Sequence, residues 1–128
     1  MILLDTCTFL WLASDKSKLS RAAEESIRAS GEFVDVSAIT AWEIAWKHSK
    51  GHLDLGMPPR AWFDLARDVQ QVREFPITAS IALRAAELPR IHNDPADRFI
   101  IATALECGIP VVTPDDKIRQ YAGIQVIW

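Results

Sequence analysis

Residues 94–116, DPADRFIIATALECGIPVVTPDD, contain a helix start, a helix end and the strand that follows. Asp94 and Pro95 predict the start, because an Asp side chain caps free N–H groups and Pro suits the first turn. Gly108 stands where the helix ends. The apolar run 109–113 is typical of a strand buried on both faces of a parallel sheet. A helix followed directly by such a strand indicates an α/β fold.

The same alternation extends along the rest of the chain. Gly, Pro and capping residues divide it into short apolar runs and longer segments with helical spacing. The sequence has no internal repeat and no long linker, so we expect one domain over residues 1–128. Strands are predicted at 1–4, 33–36, 72–77, 109–113 and 124–127, and helices at 6–13, 21–30, 38–50, 60–69, 79–88, 95–107 and 115–121.

Composition limits the class of protein. The chain has 128 residues, 49% of them hydrophobic, which is enough for a core without disulfides or zinc. Cys7 and Cys107 lack the spacing of a zinc site, so we expect a reducing, cytoplasmic setting. No apolar run approaches the roughly 20 residues that span a bilayer, and we expect no signal peptide and no membrane contact. A net charge of −3 argues against a protein that binds nucleic acid through its overall charge alone.

Four acidic residues lie where an α/β protein binds ligands. Asp5 follows the first strand, and Asp115 follows the strand at 109–113. Asp97 is in the first turn of the helix at 95–107, and Glu43 lies among apolar neighbours in the third helix. Ligands of open α/β sheets bind beyond the carboxyl ends of the strands. We therefore expect these four carboxylates to converge there.

Each acid also has an ordinary structural interpretation. Glu43 can pair with Lys47 one turn later on a polar helix face. Asp94 can serve only as a helix cap, and Asp97 can complement the positive end of the helix. Asp115 can cap the helix that starts at Asp116. For any one residue these interpretations stay open, and the hypothesis of a site depends on the whole set.

A divalent cation would resolve the repulsion between clustered carboxylates. Two unit charges about 5 Å apart cost roughly 3 kcal/mol at an effective dielectric constant near 20. Oxygen ligands without Cys or clustered His favour Mg²⁺ or Mn²⁺, which can activate water for attack on a phosphodiester. The cation would supply the positive field, and basic residues would be needed only at the rim. Candidates for the rim, each also explicable as solvated surface charge, are Lys47, Lys50, Arg98, Lys117 and Arg119.

Three segments resemble the PIN-domain ribonucleases, and most closely the VapC-type toxins of prokaryotic toxin–antitoxin pairs. They are LLDTCTFLWL, SAITAWEIAWKHSKG and NDPADRFIIATALECGIPVVTPDDKIRQY. The resemblance covers the whole length and implies a three-layer α/β/α domain with a central, mainly parallel sheet. It assigns catalytic roles to Asp5, Glu43, Asp97 and Asp115. Asp115 and the adjacent Asp116 could each face the metal, and the Thr113-Pro114 alignment favours Asp115.

The resemblance also implies the ligands and partners. Asp5, Asp97 and Asp115 would hold Mg²⁺ or Mn²⁺, with Glu43 and Asp94 as further candidates. The protein would be an endoribonuclease that a VapB-type antitoxin inhibits. Members of the family are usually dimeric, and the protein would contact DNA only through the antitoxin. Weaker candidates for substrate or rim contacts are Thr6, Lys47, Arg98 and Thr113.

The main alternative is a non-catalytic PIN-like module that acts only by binding a partner. The presence of all four acids argues against it. Cys7 lacks a neighbouring base or a phosphate-binding loop, so a buried structural thiol is expected. The histidines are expected to have surface or hydrogen-bonding roles: they are His48, His52 and His92.

The tryptophans leave two interpretations open. Trp11, Trp42, Trp46 and Trp62 could all pack in the core. Four such side chains are many for so small a domain, so we predict that an antitoxin or a second copy covers at least one of them.

Overall fold

A computed structural model describes all residues, 1–128, and shows five strands, all parallel. Their order in the sheet is β3-β2-β1-β4-β5. The predicted alternation of strands and helices is confirmed. The strands are β1 Ile2–Leu4, β2 Val34–Ser37, β3 Arg73–Phe75, β4 Val111–Val112 and β5 Val126–Ile127. The helices are α1 Thr6–Ser14, α2 Arg21–Ser30, α3 Ala38–Ser49, α4 Pro59–Gln70, α5 Ala79–Glu87, α6 Pro95–Cys107 and α7 Asp116–Arg119.

Several elements are shorter than the sequence predicts. Of the run 109–113, only Val111–Val112 forms a strand, and Pro110, which has no N–H to donate, directly precedes it. A short 3₁₀ turn at Lys16–Lys18 was not predicted; Asp15 caps it by accepting the Ser17 N–H at 3.2 Å. No helix combines the length and the apolar surface that crossing a lipid bilayer requires.

The sheet is covered on both faces, as the three-layer α/β/α prediction requires. On one face Leu4 and Val112 pack in a core with residues of α1, α2, α3 and α4. On the other face Leu3 and Val111 pack against α6, which in turn packs against α5. Successive residues of a strand point to opposite faces, so β1 contributes to both cores. The three-layer fold is therefore confirmed.

The strand order creates a crevice between β1 and β4. From β1 the chain moves to β2 and β3 on one side, and it returns to place β4 and β5 on the other. Such a reversal leaves a gap beyond the carboxyl ends of the two central strands. Asp5 caps α1 and Asp115 caps α7 at these ends, and α3 and α6 pack together beside them.

Candidate active site

Asp5 lies at the end of β1, where it caps α1. Its Oδ1 accepts the Thr8 N–H at 2.9 Å, and its Oδ2 accepts a hydrogen bond from the Thr113 hydroxyl. The side chain is buried. Burial raises the pKa of Asp5 above its ordinary value, although the hydrogen bonds from Thr113 and Thr8 act against this shift.

Four buried threonines support this junction from inside. The Thr8 hydroxyl donates to the carbonyl of Val112 at 2.9 Å and so joins α1 to β4. Thr113 and Thr6 are buried, and the Thr6 hydroxyl lies 3.0 Å from that of Thr40. Thr6 also lines the cavity described below, and the contact of Thr6 and Thr113 with substrate stays a prediction. Their hydroxyl groups hold protein atoms in place.

Glu43 extends from α3 into the crevice and is only 6% exposed. Its Oε2 lies 3.1 Å from Lys47 Nζ, so the predicted pairing exists. Its Oε1 is buried without a hydrogen-bond partner. Partial burial alone would lower the pKa of Lys47, but the hydrogen bond and charge of Glu43 outweigh it, and the net shift is upward. A buried, unpartnered carboxylate oxygen is costly unless a cation or another donor binds it.

Asp94 and Asp97 form the N-terminal turn of α6. Asp94 is exposed and caps the helix by accepting the Asp97 N–H at 3.2 Å. Asp97 points into the crevice. Its burial, together with the negative charges of Asp94, Glu43 and Asp5, raises the pKa of Asp97 to about 7, against an opposing effect of His92.

Asp115 follows β4 and caps α7 by accepting the Lys117 N–H at 2.8 Å. Its Oδ2 lies 2.8 Å from His92 Nε2, whereas Asp116 is exposed to solvent. Burial tends to raise the pKa of Asp115, but hydrogen bonds from His92 and the Lys117 N–H lower it overall. Of the two adjacent acids, Asp115 is therefore the one that faces the crevice.

Sequence reasoning expected only a surface or hydrogen-bonding role for His92 and did not place it at the site. It is buried, with Nε2 3.1 Å from Asp97 Oδ2 as well as close to Asp115. The available signal was its position two residues before the Asp94 cap, which places it at the same end of α6 as Asp97.

The four predicted acids meet around one cavity of about 190 Å³. Its wall consists of Asp5, Thr6, Cys7, Glu43, Lys47, Asp97, Pro114 and Asp115. Asp94 is absent from this wall and acts as a helix cap. A larger surface depression of about 850 Å³ contains none of the predicted site residues. The oxygen-rich donor set and the unpartnered Glu43 oxygen fit a hard divalent cation such as Mg²⁺ or Mn²⁺.

Cys7 does not have the properties of a nucleophile. Its Sγ lies 3.4 and 3.5 Å from the two carboxylate oxygens of Asp5 and donates to them. Burial and the charge of Asp5 raise the pKa of Cys7 far above its ordinary value. The thiol therefore stays protonated at neutral pH.

The basic rim differs from the prediction. The Arg98 guanidinium turns away from the cavity and donates to backbone carbonyls, at distances of 2.8 to 3.4 Å. The assignment of Arg98 to the rim is therefore a prediction that the structure does not support. Lys47 is the predicted basic residue that lines the cavity, and the others are exposed: Lys50, Lys117 and Arg119. The carbonyls that Arg98 binds are those of Ala85, Ala86, Leu88, Pro89 and His92.

The tryptophans divide into two groups. Trp11 packs against Trp128 and Trp62 against Phe9, each partly buried at the edge of a core. Trp42 and Trp46, in contrast, are each 50% exposed on α3.

Comparison with known proteins gives a family match and a related ribonuclease. The sequence model of the PIN domain matches residues 2–124. Ribonuclease VapC22 of Mycobacterium tuberculosis is 36% identical over 121 residues, which cover 94% of this chain and 91% of that protein.

Two solved structures share the fold at low identity. The first, VapBC2 of Rickettsia felis bound to a promoter DNA fragment, superposes with a TM-score of 0.73 at 14% identity, covering 98% of this chain and 97% of that chain. The second, Mycobacterium tuberculosis VapC20, a toxin that cleaves the sarcin–ricin loop, has a TM-score of 0.62 at 18% identity, covering 97% and 98%. The family match spans nearly the whole chain and confirms the resemblance seen in the three segments. The chain belongs to the PIN domain family.

Proposed function

We propose that this protein is a metal-dependent endoribonuclease, the toxin of a VapBC-type toxin–antitoxin pair, and that one domain carries the activity. The observation that carries the proposal is the convergence of four carboxylates on one cavity, with Glu43 Oε1 buried and unpartnered. The relative at 36% identity is a ribonuclease, which supports RNA as the substrate.

We assign the cation to the carboxylates of the cavity wall. Asp5, Asp97 and Asp115 would hold Mg²⁺ or Mn²⁺, and Glu43 would bind through its free Oε1. When bound, such a cation activates water and neutralises charge on the phosphate under attack. Lys47 pairs with the other oxygen of Glu43, which leaves Oε1 without a protein partner. The capping bonds of Asp5 and Asp115 hold these carboxylates at the strand ends.

The partners follow from the same assignment. VapBC complexes are among the solved structures that share this fold. We propose that a VapB-type antitoxin binds and inhibits this chain, that the chain forms a homodimer, and that it meets DNA only through the antitoxin. We place it in the cytoplasm, where RNA is available and Cys7 and Cys107 stay reduced.

RNA cleavage by the purified chain tests the activity. We expect cleavage with Mg²⁺ or Mn²⁺ and none in excess EDTA. Asp5→Asn and Asp97→Asn should each reduce the rate by about 100-fold or more, because they remove charge aimed at the reacting centre. Asp116→Asn is the matched control, since Asp116 is exposed beside Asp115.

Cleavage that persists in EDTA, or in both Asn variants, would overturn the proposal. An inactive wild-type chain that still binds an antitoxin would instead support a non-catalytic binding module. All four acids are present and face one cavity, which favours the enzyme.

A further inference from the structure

His92 lies in the loop between α5 and α6, and the proposed mechanism gives it no role. The residue is only 7% exposed, so its side chain is packed inside the protein beside the acids. Its Nε2 and one oxygen each of Asp97 and Asp115 lie within 4.8 Å of one another. Two of the proposed metal-binding carboxylates thus share one imidazole nitrogen.

The backbone of His92 is held from two sides. Its N–H donates to the Tyr121 hydroxyl at 2.8 Å, and that hydroxyl donates to the carbonyl of Pro89 at 2.8 Å. Its own carbonyl accepts from the Arg98 guanidinium at 3.0 Å. The loop therefore presents the imidazole in one orientation, supported by α6 and by the segment after α7.

The hydrogen bonds also determine which ring nitrogen carries the proton. Nδ1 lies 3.2 Å from the backbone N–H of Asp94, which can only donate, so Nδ1 accepts. The hydrogen of the neutral ring is therefore on Nε2, where it faces Asp115 Oδ2 at 2.8 Å and Asp97 Oδ2 at 3.1 Å.

We propose that His92 is a positioning residue that holds the Asp97 and Asp115 carboxylates in place to bind the divalent cation. This rests on the proposed function. The ring is not a metal ligand. Binding a cation through Nε2 would move the ring hydrogen to Nδ1, where two donors, Nδ1–H and the Asp94 N–H, would face each other without an acceptor. A single N–H shared by two carboxylates keeps their oxygens close despite their repulsion.

Calorimetric titration with MnCl₂ tests this without relying on activity. His92→Ala should weaken Mn²⁺ binding by roughly 10- to 100-fold, the usual effect of removing a group that orients metal ligands. His92→Gln should recover most of the affinity, because its amide nitrogen can reach the carboxylates in place of Nε2. His92→Asn is too short to reach them and should not recover it. His52→Gln is the control, since His52 is exposed.

The outcomes separate the two proposals. No Mn²⁺ binding by the wild-type chain would overturn the proposed function. If the wild-type chain binds Mn²⁺ and His92→Ala or His92→Asn binds it equally well, only the role of His92 is overturned. The same holds if His92→Gln and His92→Asn lose Mn²⁺ affinity equally while circular dichroism shows that both are folded. Pulsed electron paramagnetic resonance of bound Mn²⁺ should show no directly coordinated nitrogen, and a directly bound nitrogen would also overturn it.

Discussion

The Thr113 hydroxyl donates a hydrogen bond to Asp5 Oδ2, although the two residues are 108 positions apart in the sequence. The same Thr113 oxygen accepts the backbone N–H of Asp115 at 3.0 Å. One buried hydroxyl therefore joins the ends of β1 and β4 and is hydrogen-bonded to both Asp5 and Asp115, two of the proposed metal-binding acids. Together with the Thr8 hydroxyl, which donates to the Val112 carbonyl, this group fixes the separation of Asp5 and Asp115.

Thr113→Val should therefore affect both stability and metal binding. It leaves the Asp115 N–H without a partner and Asp5 Oδ2 with only the weak Cys7 thiol donor, and we expect a loss of roughly 2–3 kcal/mol in the free energy of unfolding. Thr113→Ser keeps the hydroxyl and loses one methyl group, worth about 0.8 kcal/mol. Urea denaturation and Mn²⁺ titration measure the two effects. Equal behaviour of the Val and Ser variants would contradict the link.

Asp97 should make the metal-free protein less stable as the pH rises. Its pKa is about 7 in the folded protein and 3.8 when unperturbed, so between these values the folded state binds more protons than the unfolded state. The free energy of unfolding then falls with rising pH across this window. The difference between these two pKa values corresponds to a loss of roughly 4 kcal/mol at most in the free energy of unfolding.

Urea denaturation in EDTA from pH 4 to 8 measures this dependence. Asp97→Asn should reduce the slope between pH 4 and 7 without removing it, because the pKa of Asp5 is shifted in the same direction. Asp116→Asn should keep the wild-type slope. Identical slopes in all three proteins would contradict the assignment to Asp97.

Arg98 should contribute to stability and not to RNA binding. Its guanidinium donates to five backbone carbonyls around the end of α5, including those of Leu88 and His92. Arg98→Ala removes the side-chain donor from all five carbonyls, of which that of Pro89 keeps the Tyr121 hydroxyl, and we expect a loss of roughly 3 kcal/mol in the free energy of unfolding. The exposed Arg119→Ala should change it by less than about 0.5 kcal/mol. A variant Arg98→Ala with wild-type stability and reduced RNA affinity would instead show that Arg98 contacts RNA at the rim of the cavity.

Trp42 and Trp46 should become less accessible when a partner binds. Their rings stack at 5.7 Å between centroids, and Lys50 Nζ lies 4.6 Å from the centroid of Trp46. An exposed aromatic pair of this kind is typical of an interface. Acrylamide quenching of tryptophan fluorescence should decrease when the antitoxin or a second copy binds.

A variant carrying both Trp42→Phe and Trp46→Phe assigns the signal. In that variant, partner binding should change the quenching of the remaining indoles much less than in the wild type. Unchanged wild-type quenching in the complex would show that the pair stays open to solvent.

Much of the fold and part of the site follow from local sequence. Asp94, Pro95 and Gly108 delimit α6 because caps and turn conformations depend on neighbouring residues. Asp5 and Asp115 could be predicted for the same reason: each directly follows a strand, and the carboxyl ends of parallel strands share one edge. The limits of β3 could not be predicted, because they depend on which residues of β2 pair with it.

Other features were decided only by the tertiary structure. The sequence determined that an α/β domain carries acids at its strand ends, since periodicity and capping are local properties. It did not determine that His92 and Thr113 join those acids, or that Arg98 turns away from them. Those contacts bring together residues separated by up to 108 positions, and the direction of a loop side chain depends on how distant elements pack. Local patterns carry no information about that packing.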